Sequence, residues 1–228
     1  MSDILCLATI MLAGVAQASL QLSLGGLILL YHSSMGHHRK KKTRRLTRSY
    51  ILGAGAISFL MVSASCYLIS EFLRGELSTA WLATLIGVLI ASAVVMWVLY
   101  YKKGRSTELW LPKAISRFIH RRARRTEDGV EAFSLGMLSA FAEMPMSIAL
   151  YLVVANCVLN LSSGHVLAIL GYVVIVCLPM LILKGQVRLG KSAVAVQKWR
   201  VQNKQFGRLY AGSSFVVLGM FLLAFWVM

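Results

Sequence analysis

Six apolar blocks, each close to the roughly 20 residues that cross a hydrocarbon core as a helix, alternate in this chain with segments crowded with lysine and arginine. The blocks are Ile4–Tyr31, Tyr50–Leu73, Ala80–Tyr101, Val130–Asn156, Val166–Leu183 and Leu209–Val227. At 58% hydrophobic over 228 residues, the chain has too little polar surface to cover a soluble domain. Inside lipid a backbone must satisfy its own hydrogen bonds, and runs this long and continuously apolar do so as helices. The alternating pattern of a membrane barrel strand is absent. The spacing therefore predicts an all-α membrane protein with six transmembrane helices. Asp3 and the lack of a basic n-region make the first block a span and not a cleaved leader.

The charges orient the spans. All the lysines and arginines except Arg74 fall in three segments: Arg39–Arg48, Lys102–Arg125 and Lys184–Arg208. Basic loops stay in the cytoplasm, so six spans place both termini outside. The net charge of +16 is accounted for by topology, without nucleic acid as a partner. Anionic lipid is the partner expected at these segments, at about 1 kcal/mol per basic residue near the surface.

The loop order has a symmetry. Residues 1–101 run span, long basic loop, span, short loop, span, and residues 130–228 run the same pattern backwards. With three spans in each half, the second half enters the membrane inverted, which predicts two inverted three-helix repeats with a site near the midplane. Residues 102–129 form the basic cytoplasmic linker. Within it Pro112 can open a helix, Leu111, Ile115 and Phe118 share a face, and Lys113, Arg117, Arg121 and Arg124 lie on the other side. This predicts an amphipathic helix over 112–125 in the membrane interface. Small residues that let backbones approach, at Gly53 to Ala56, Gly87 with Ala91, and Gly212 with Gly219, mark expected helix contacts.

Two spans carry polar groups at mid-depth. In "SAFAEMPMSIALYLVV" (139–154) Glu143 interrupts an apolar run, and a charge at the bilayer centre costs about 2.5–3.5 kcal/mol. Pro145 beside it removes a backbone hydrogen bond, and freed carbonyls next to a carboxylate suit a cation or proton site. Gln17 and Gln21 put two amides on one face of the first span, and Gln17 aligns with Glu143 when the halves are superposed. The expected ion- or substrate-binding residues are therefore Glu143, Gln17, Gln21 and Pro145, with Asn156 extending the path. The bland alternative makes Glu143 a protonated hydrogen-bonding group between helices. No cofactor is implied and no metal site is expected. His32, His37 and His38 lack acidic or cysteine companions in a loop that repels cations. Cys6, Cys66, Cys157 and Cys177 stand singly, as small buried hydrophobes do. Neither a nucleophile with its base nor a phosphate-binding glycine loop is present, so the chain does not read as an enzyme.

Certain of these residues resemble a known family. The closing "NKQFGRLYAGSSFVVLGMFLLAF", with Arg208, Gly212 and Gly219, is similar to the last span of the lysine exporter (LysE) superfamily. In the fourth span Phe133, Gly136 and Pro145 match that group's phenylalanine, glycine and Asn-Pro pattern. Glu143-Met144 stands where asparagine would be, and Gln17-Ala18-Ser19 where the exporters carry Pro-Gly-Pro. The resemblance implies a transporter, an exporter of a small solute or cation, with self-association left open. The competing class is a non-transporting assembly or lipid-associated scaffold protein.

Overall fold

The structure is a computed structural model that describes residues 3–20, 22–33, 40–73, 78–99, 122–123, 126, 128–188, 198 and 202–227. Its helices are α1 (Asp3–Ala18), α2 (Leu22–Ser33), α3 (Lys40–Phe72), α4 (Thr79–Leu99), α5 (Gly129–Phe141), α6 (Met144–Leu159), α7 (His165–Arg188) and α8 (Lys204–Leu222), the last widening to a π-helical turn over Leu223–Val227. No strand occurs among the described residues. Helices α3, α4, α7 and α8 are each long and apolar enough to cross a bilayer, and α5 with α6 makes a fifth crossing if the bent pair is one span. The chain is an all-helical membrane protein.

Two features depart from the sequence reading, and a third, the break beside Pro145, takes it further. The first expected span divides into α1 and α2 at Ser19 and Leu20, and α1, at 16 residues, is only about 24 Å long at 1.5 Å per residue. The fourth divides at Ala142 and Glu143, where the axes of α5 and α6 turn by 81°. The basic segment ahead of the second span is helix, not loop. α3 has 33 residues, about 50 Å against a core of about 30 Å. Lys and Arg are good helix formers, so Lys40 to Arg48 carry α3 beyond the bilayer. The expected interfacial helix over 112–125 lies outside the described residues apart from Arg122, Ala123 (both helical) and neither flank.

Two buried apolar clusters hold the bundle. One contains Ile10 of α1, Val62 of α3, Leu89 of α4, Val154 of α6, Tyr172 of α7 and Phe215 of α8. The other contains Leu27 of α2, Tyr50 of α3, Leu135 of α5 and Met180 of α7. The chain passes between them at matching places: after Leu20, between Ile57 and Val62, between Ala140 and Ala149, and between Val176 and Cys177. A seam therefore runs across the bundle at one level, and both helix breaks lie on it.

Close backbone contact fixes α3 against α5. A Cβ on Gly53 would fall on the Phe133 carbonyl oxygen, and one on Gly136 on the Tyr50 carbonyl oxygen. Only glycine lets these two backbones meet. Gly212 holds the Trp97 indole in the same way where α8 packs on α4. Gly87 is exposed and has nothing within 4 Å among the described residues, none of which uses the expected Gly87–Ala91 contact face there.

Candidate functional site

Gln17 belongs to the inward face of α1. Cys6, Ile10, Ala13 and Gln17 follow helical spacing and are buried, whereas Ile4, Leu7, Met11 and Val15 are exposed along the opposite side. At 2% exposure the Gln17 amide must find partners inside the bundle. It donates through Nε2 to the Tyr151 hydroxyl on α6 at 2.7 Å, and its Oε1 accepts from the Tyr172 hydroxyl on α7. One side chain thus ties three helices. α1 then closes tightly: the Ser19 amide bonds the Val15 and Ala16 carbonyls at 3.1 and 3.3 Å, and the Leu20 amide bonds that of Gln17 at 3.0 Å. The Ser19 hydroxyl donates to the Ala16 carbonyl at 2.6 Å and lies 3.4 Å from that of Ser214 on α8.

Glu143 occupies the second break. Its amide still bonds the Ala140 carbonyl at 3.1 Å, after which the chain turns and α6 begins, with Pro145 in its first turn. Proline is suited to that position because an N-terminal amide has no intrahelical acceptor. Glu143 is the N-cap residue, with φ −80° and ψ −13° and no side-chain capping bond, and is 4% exposed. Its backbone carbonyl accepts from the Ser147 hydroxyl at 3.0 Å. The positive end of α6 favours a carboxylate by at most about 2 kcal/mol, less than the 2.5–3.5 kcal/mol or so that insertion costs. The difference falls to the polar groups around it, or to a proton or cation.

Those groups include three buried tyrosines that sequence reasoning did not single out. Tyr50, Tyr151 and Tyr172 all lie within electrostatic range of the Glu143 carboxyl, as does Cys177. The Tyr50 hydroxyl reaches Ser139 and nests over Gly26, where any Cβ would strike it. The Tyr151 hydroxyl reaches Ser147 and Ser58 as well as Gln17. The donors run in one direction. Tyr172 donates to Gln17 and Gln17 donates to Tyr151, leaving Tyr151 its own proton to pass on. Ser147 and Ser58 give theirs to the carbonyls of Glu143 and Ala54, so each has an oxygen free to accept from Tyr151. The hydrogen bonds run one way from Tyr172 through Gln17 to Tyr151, which is within electrostatic range of the Glu143 carboxyl. Groups of this kind can exchange a proton, or bind a cation through a carboxylate, neutral oxygens and aromatic faces.

The structure links Gln17 through Tyr151 and Ser147 to the Glu143 backbone carbonyl, with the Glu143 carboxyl in electrostatic range of Tyr151. Pro145 bends the span, but its ring is exposed and does not line the network. Asn156 is buried but lies about 20 Å further along α6, with its carbonyl accepting from Asn160. It is not part of this cluster. Gln21, His37 and His38 lie outside the described residues. His165 bonds the Val158 carbonyl at 2.7 Å and so closes the corner between α6 and α7. The four cysteines form no disulfide, yet the thiols of Cys6 and Cys157 meet where α1 packs on α6. Among the described residues no group of three or more His, Cys, Asp or Glu side chains converges as metal ligands would. No family model matches the chain, and no curated protein or solved structure matches it.

Proposed function

We propose that this protein is a membrane transporter, an exporter of a small solute or cation in a bacterial inner membrane, with its site at the seam around Glu143. The observation that carries the reading is the buried network itself: an acid, an amide and three tyrosine hydroxyls gathered between two apolar clusters, where two spans break. Broken helices that point their ends at a midplane site are a recurrent way to bind a solute in lipid.

Two inverted three-helix repeats are part of this reading, and the packing supports them. Exchanging α1 with α5, α2 with α6, α3 with α7 and α4 with α8 turns most of the helix pairings into one another. α3 on α5 becomes α7 on α1, α3 on α6 becomes α7 on α2, α1 on α6 becomes α5 on α2, and α2 on α3 becomes α6 on α7. The pairs α3–α7 and α4–α8 map onto themselves. α1 on α8 and α4 on α6 have no such counterpart among the closer packings. Both broken spans are then equivalent, which also supports the likeness to the LysE superfamily. The termini are placed outside, with the basic ends of α3 and α7 and anionic lipid on the cytoplasmic side.

One observation favours the scaffold reading instead: Gln17, Tyr50, Tyr151, Tyr172, Ser139 and Ser147 are all at most 2% exposed, so a transporter must open from this closed state. Metabolite profiling separates the two. A strain lacking the protein is compared with strains restored by the native chain or by Glu143→Gln. Export restored by the native chain and not by the amide variant is the expected result. Equal restoration by both removes Glu143 from the mechanism.

A further inference from the structure

We propose that the cleft between the first turns of α3 and the start of α5 is a binding site for a phosphate group. It rests on the membrane reading and its cytoplasmic orientation, but not on transport. A cavity of about 700 Å³ opens there, within the 300–1,000 Å³ or so typical of small-molecule sites. Among the described residues that line it are four cations of α3, Lys42, Arg44, Arg45 and Arg48, and one acid, Asp128, at the head of α5.

Topology alone does not produce this arrangement. Orientation needs basic residues near the membrane on one side, and it is indifferent to whether they converge. Here α3 stays helical through all four. Lys42, Arg45 and Ser49 therefore fall on one face and Arg44 and Arg48 on the adjoining one, so that both rows border the same hollow. Gly129 keeps the hollow open: a Cβ there would come within 3.2 Å of the Ser49 hydroxyl and 3.6 Å of the Arg45 Nε. The first amides of α5 lie at the same place, and Asp128 forms no side-chain cap over them. Guanidinium groups that fit phosphate oxygens in pairs, beside the positive end of a helix that favours an anion, suit a phosphate group.

The depth suits a lipid headgroup. Arg45 precedes Tyr50, the first residue of the apolar run, by about 8 Å of helix, which is the width of the interfacial layer outside the hydrocarbon core. Free phosphate offers the same chemistry, and the experiment separates the two sources.

The purified full chain, in a zwitterionic detergent, is titrated with dioctanoyl phosphatidylglycerol, with dioctanoyl phosphatidylcholine and with inorganic phosphate, and binding is counted by native mass spectrometry. The phosphatidylglycerol is expected to saturate a single site. Arg45→Gln and Arg48→Gln should each weaken it about fivefold. Gly129→Leu, which changes no charge, should weaken it tenfold or more by filling the cavity. Arg188→Gln, in the third basic segment of the sequence, should leave it unchanged. Inorganic phosphate that competes and shows the same dependence on Arg45 and Gly129 identifies a free anion as a ligand. Phosphate that fails to compete, with the lipid still bound, assigns the site to the headgroup. Arg48 is exposed, so its variant folds even if Gly129→Leu does not. Binding in Glu143→Gln should match the native chain, which separates this site from the transport reading. The proposal is overturned if Gly129→Leu folds and binds normally, if Arg188→Gln weakens binding as much as Arg45→Gln, or if phosphatidylcholine binds equally well.

Discussion

Tyr172→Phe removes one oxygen from the seam and leaves the ring in place, so packing is kept and no cavity forms. What goes is the donor to Gln17 Oε1, on a side chain that is 2% exposed. In a soluble protein a buried acceptor stripped of its donor costs about 1–3 kcal/mol. Between membrane helices the measured value is smaller, averaging about 0.6 and reaching about 1.7 kcal/mol, because the unfolded chain in lipid also finds partners. Gln17 keeps its bond to Tyr151, which argues for a loss of about 1 kcal/mol. Gln17→Leu takes away both bonds, but Tyr151 still reaches Ser147 and Ser58, so only Tyr172 is stranded. In the double variant the Tyr172–Gln17 bond is lost once, not twice. The two losses should therefore fall short of additivity by about 0.6–1.7 kcal/mol. Reversible unfolding in bicelles, followed for the native chain, both single variants and the double variant, measures the difference directly. Additivity to within about 0.3 kcal/mol would mean that Gln17 and Tyr172 are not bonded and that the seam is not a connected chain.

Other parts of the fold can be tested alongside. Gly136→Ala drives a methyl onto the Tyr50 carbonyl oxygen and should cost about 1–3 kcal/mol or more. Gly87→Ala meets nothing within 4 Å and should be neutral or favourable by up to about 1 kcal/mol. The reverse order in the same unfolding measurement would discredit the α3–α5 crossing. Diamide, as oxidant, should take one hydrogen from each of Cys6 and Cys157 and join them, because their thiols are in contact. A peptide map that retains both as free thiols speaks against α1 packing on α6 there. At the start of α1 the Asp3 carboxylate accepts from the Ser162 hydroxyl and, at 3.3 Å, from its amide, and these bonds hold its carboxyl below the ordinary 3.8. A carboxyl depressed on folding stabilises above its unfolded value and loses that contribution as pH falls through the folded one. Protection from hydrogen exchange at the start of α1, corrected for the intrinsic pH dependence of the rate, should therefore stay flat from about pH 8 to 5 and fall only below about pH 4. Ser162→Ala should remove that step, and an unchanged profile in the variant would show the tie to be idle.

The spans were legible because lipid imposes one rule on composition and length, and α3, α4, α7 and α8 obey it. The break at Glu143 was legible too, since Pro145 cannot continue an interior helix turn. The break after Ala18 was not: Ser19 and Leu20 carry no proline or glycine, and only packing across the seam shows why α1 stops. Gln17 and Glu143 stood out because polar groups at mid-span are costly. The tyrosines did not, because most of a tyrosine is apolar and its hydroxyl leaves no periodic trace. Gly87 failed as a contact because small residues permit close approach without dictating which neighbour arrives.

Gln17 and Glu143 sit at unlike helix ends in the seam, and this bears on what Glu143 does there. α1 ends at Ala18, one residue after Gln17, and so brings its carbonyl end; α6 begins after Glu143 and so brings its amide end. A carboxylate at an amide end is favoured by about 0.3–1 kcal/mol, up to about 2 when partly buried. Holding it ionised at that depth costs about 2.5–3.5 kcal/mol. An acid kept only for structure would be better replaced by its amide, which keeps the shape and hydrogen bonding without the charge. Glu143→Gln therefore has opposite signatures under the two readings. If Glu143 exchanges a proton or binds a cation, the variant should unfold no more easily than the native chain, and by this balance up to about 2 kcal/mol less easily, while export is lost. If Glu143 is a protonated hydrogen-bonding group, the variant should cost no more than about 1–2 kcal/mol and retain its activity. Unfolding and export measured on the same preparation assign the residue. A variant that is both as stable and as active as the native chain would show that the seam does not need its acid.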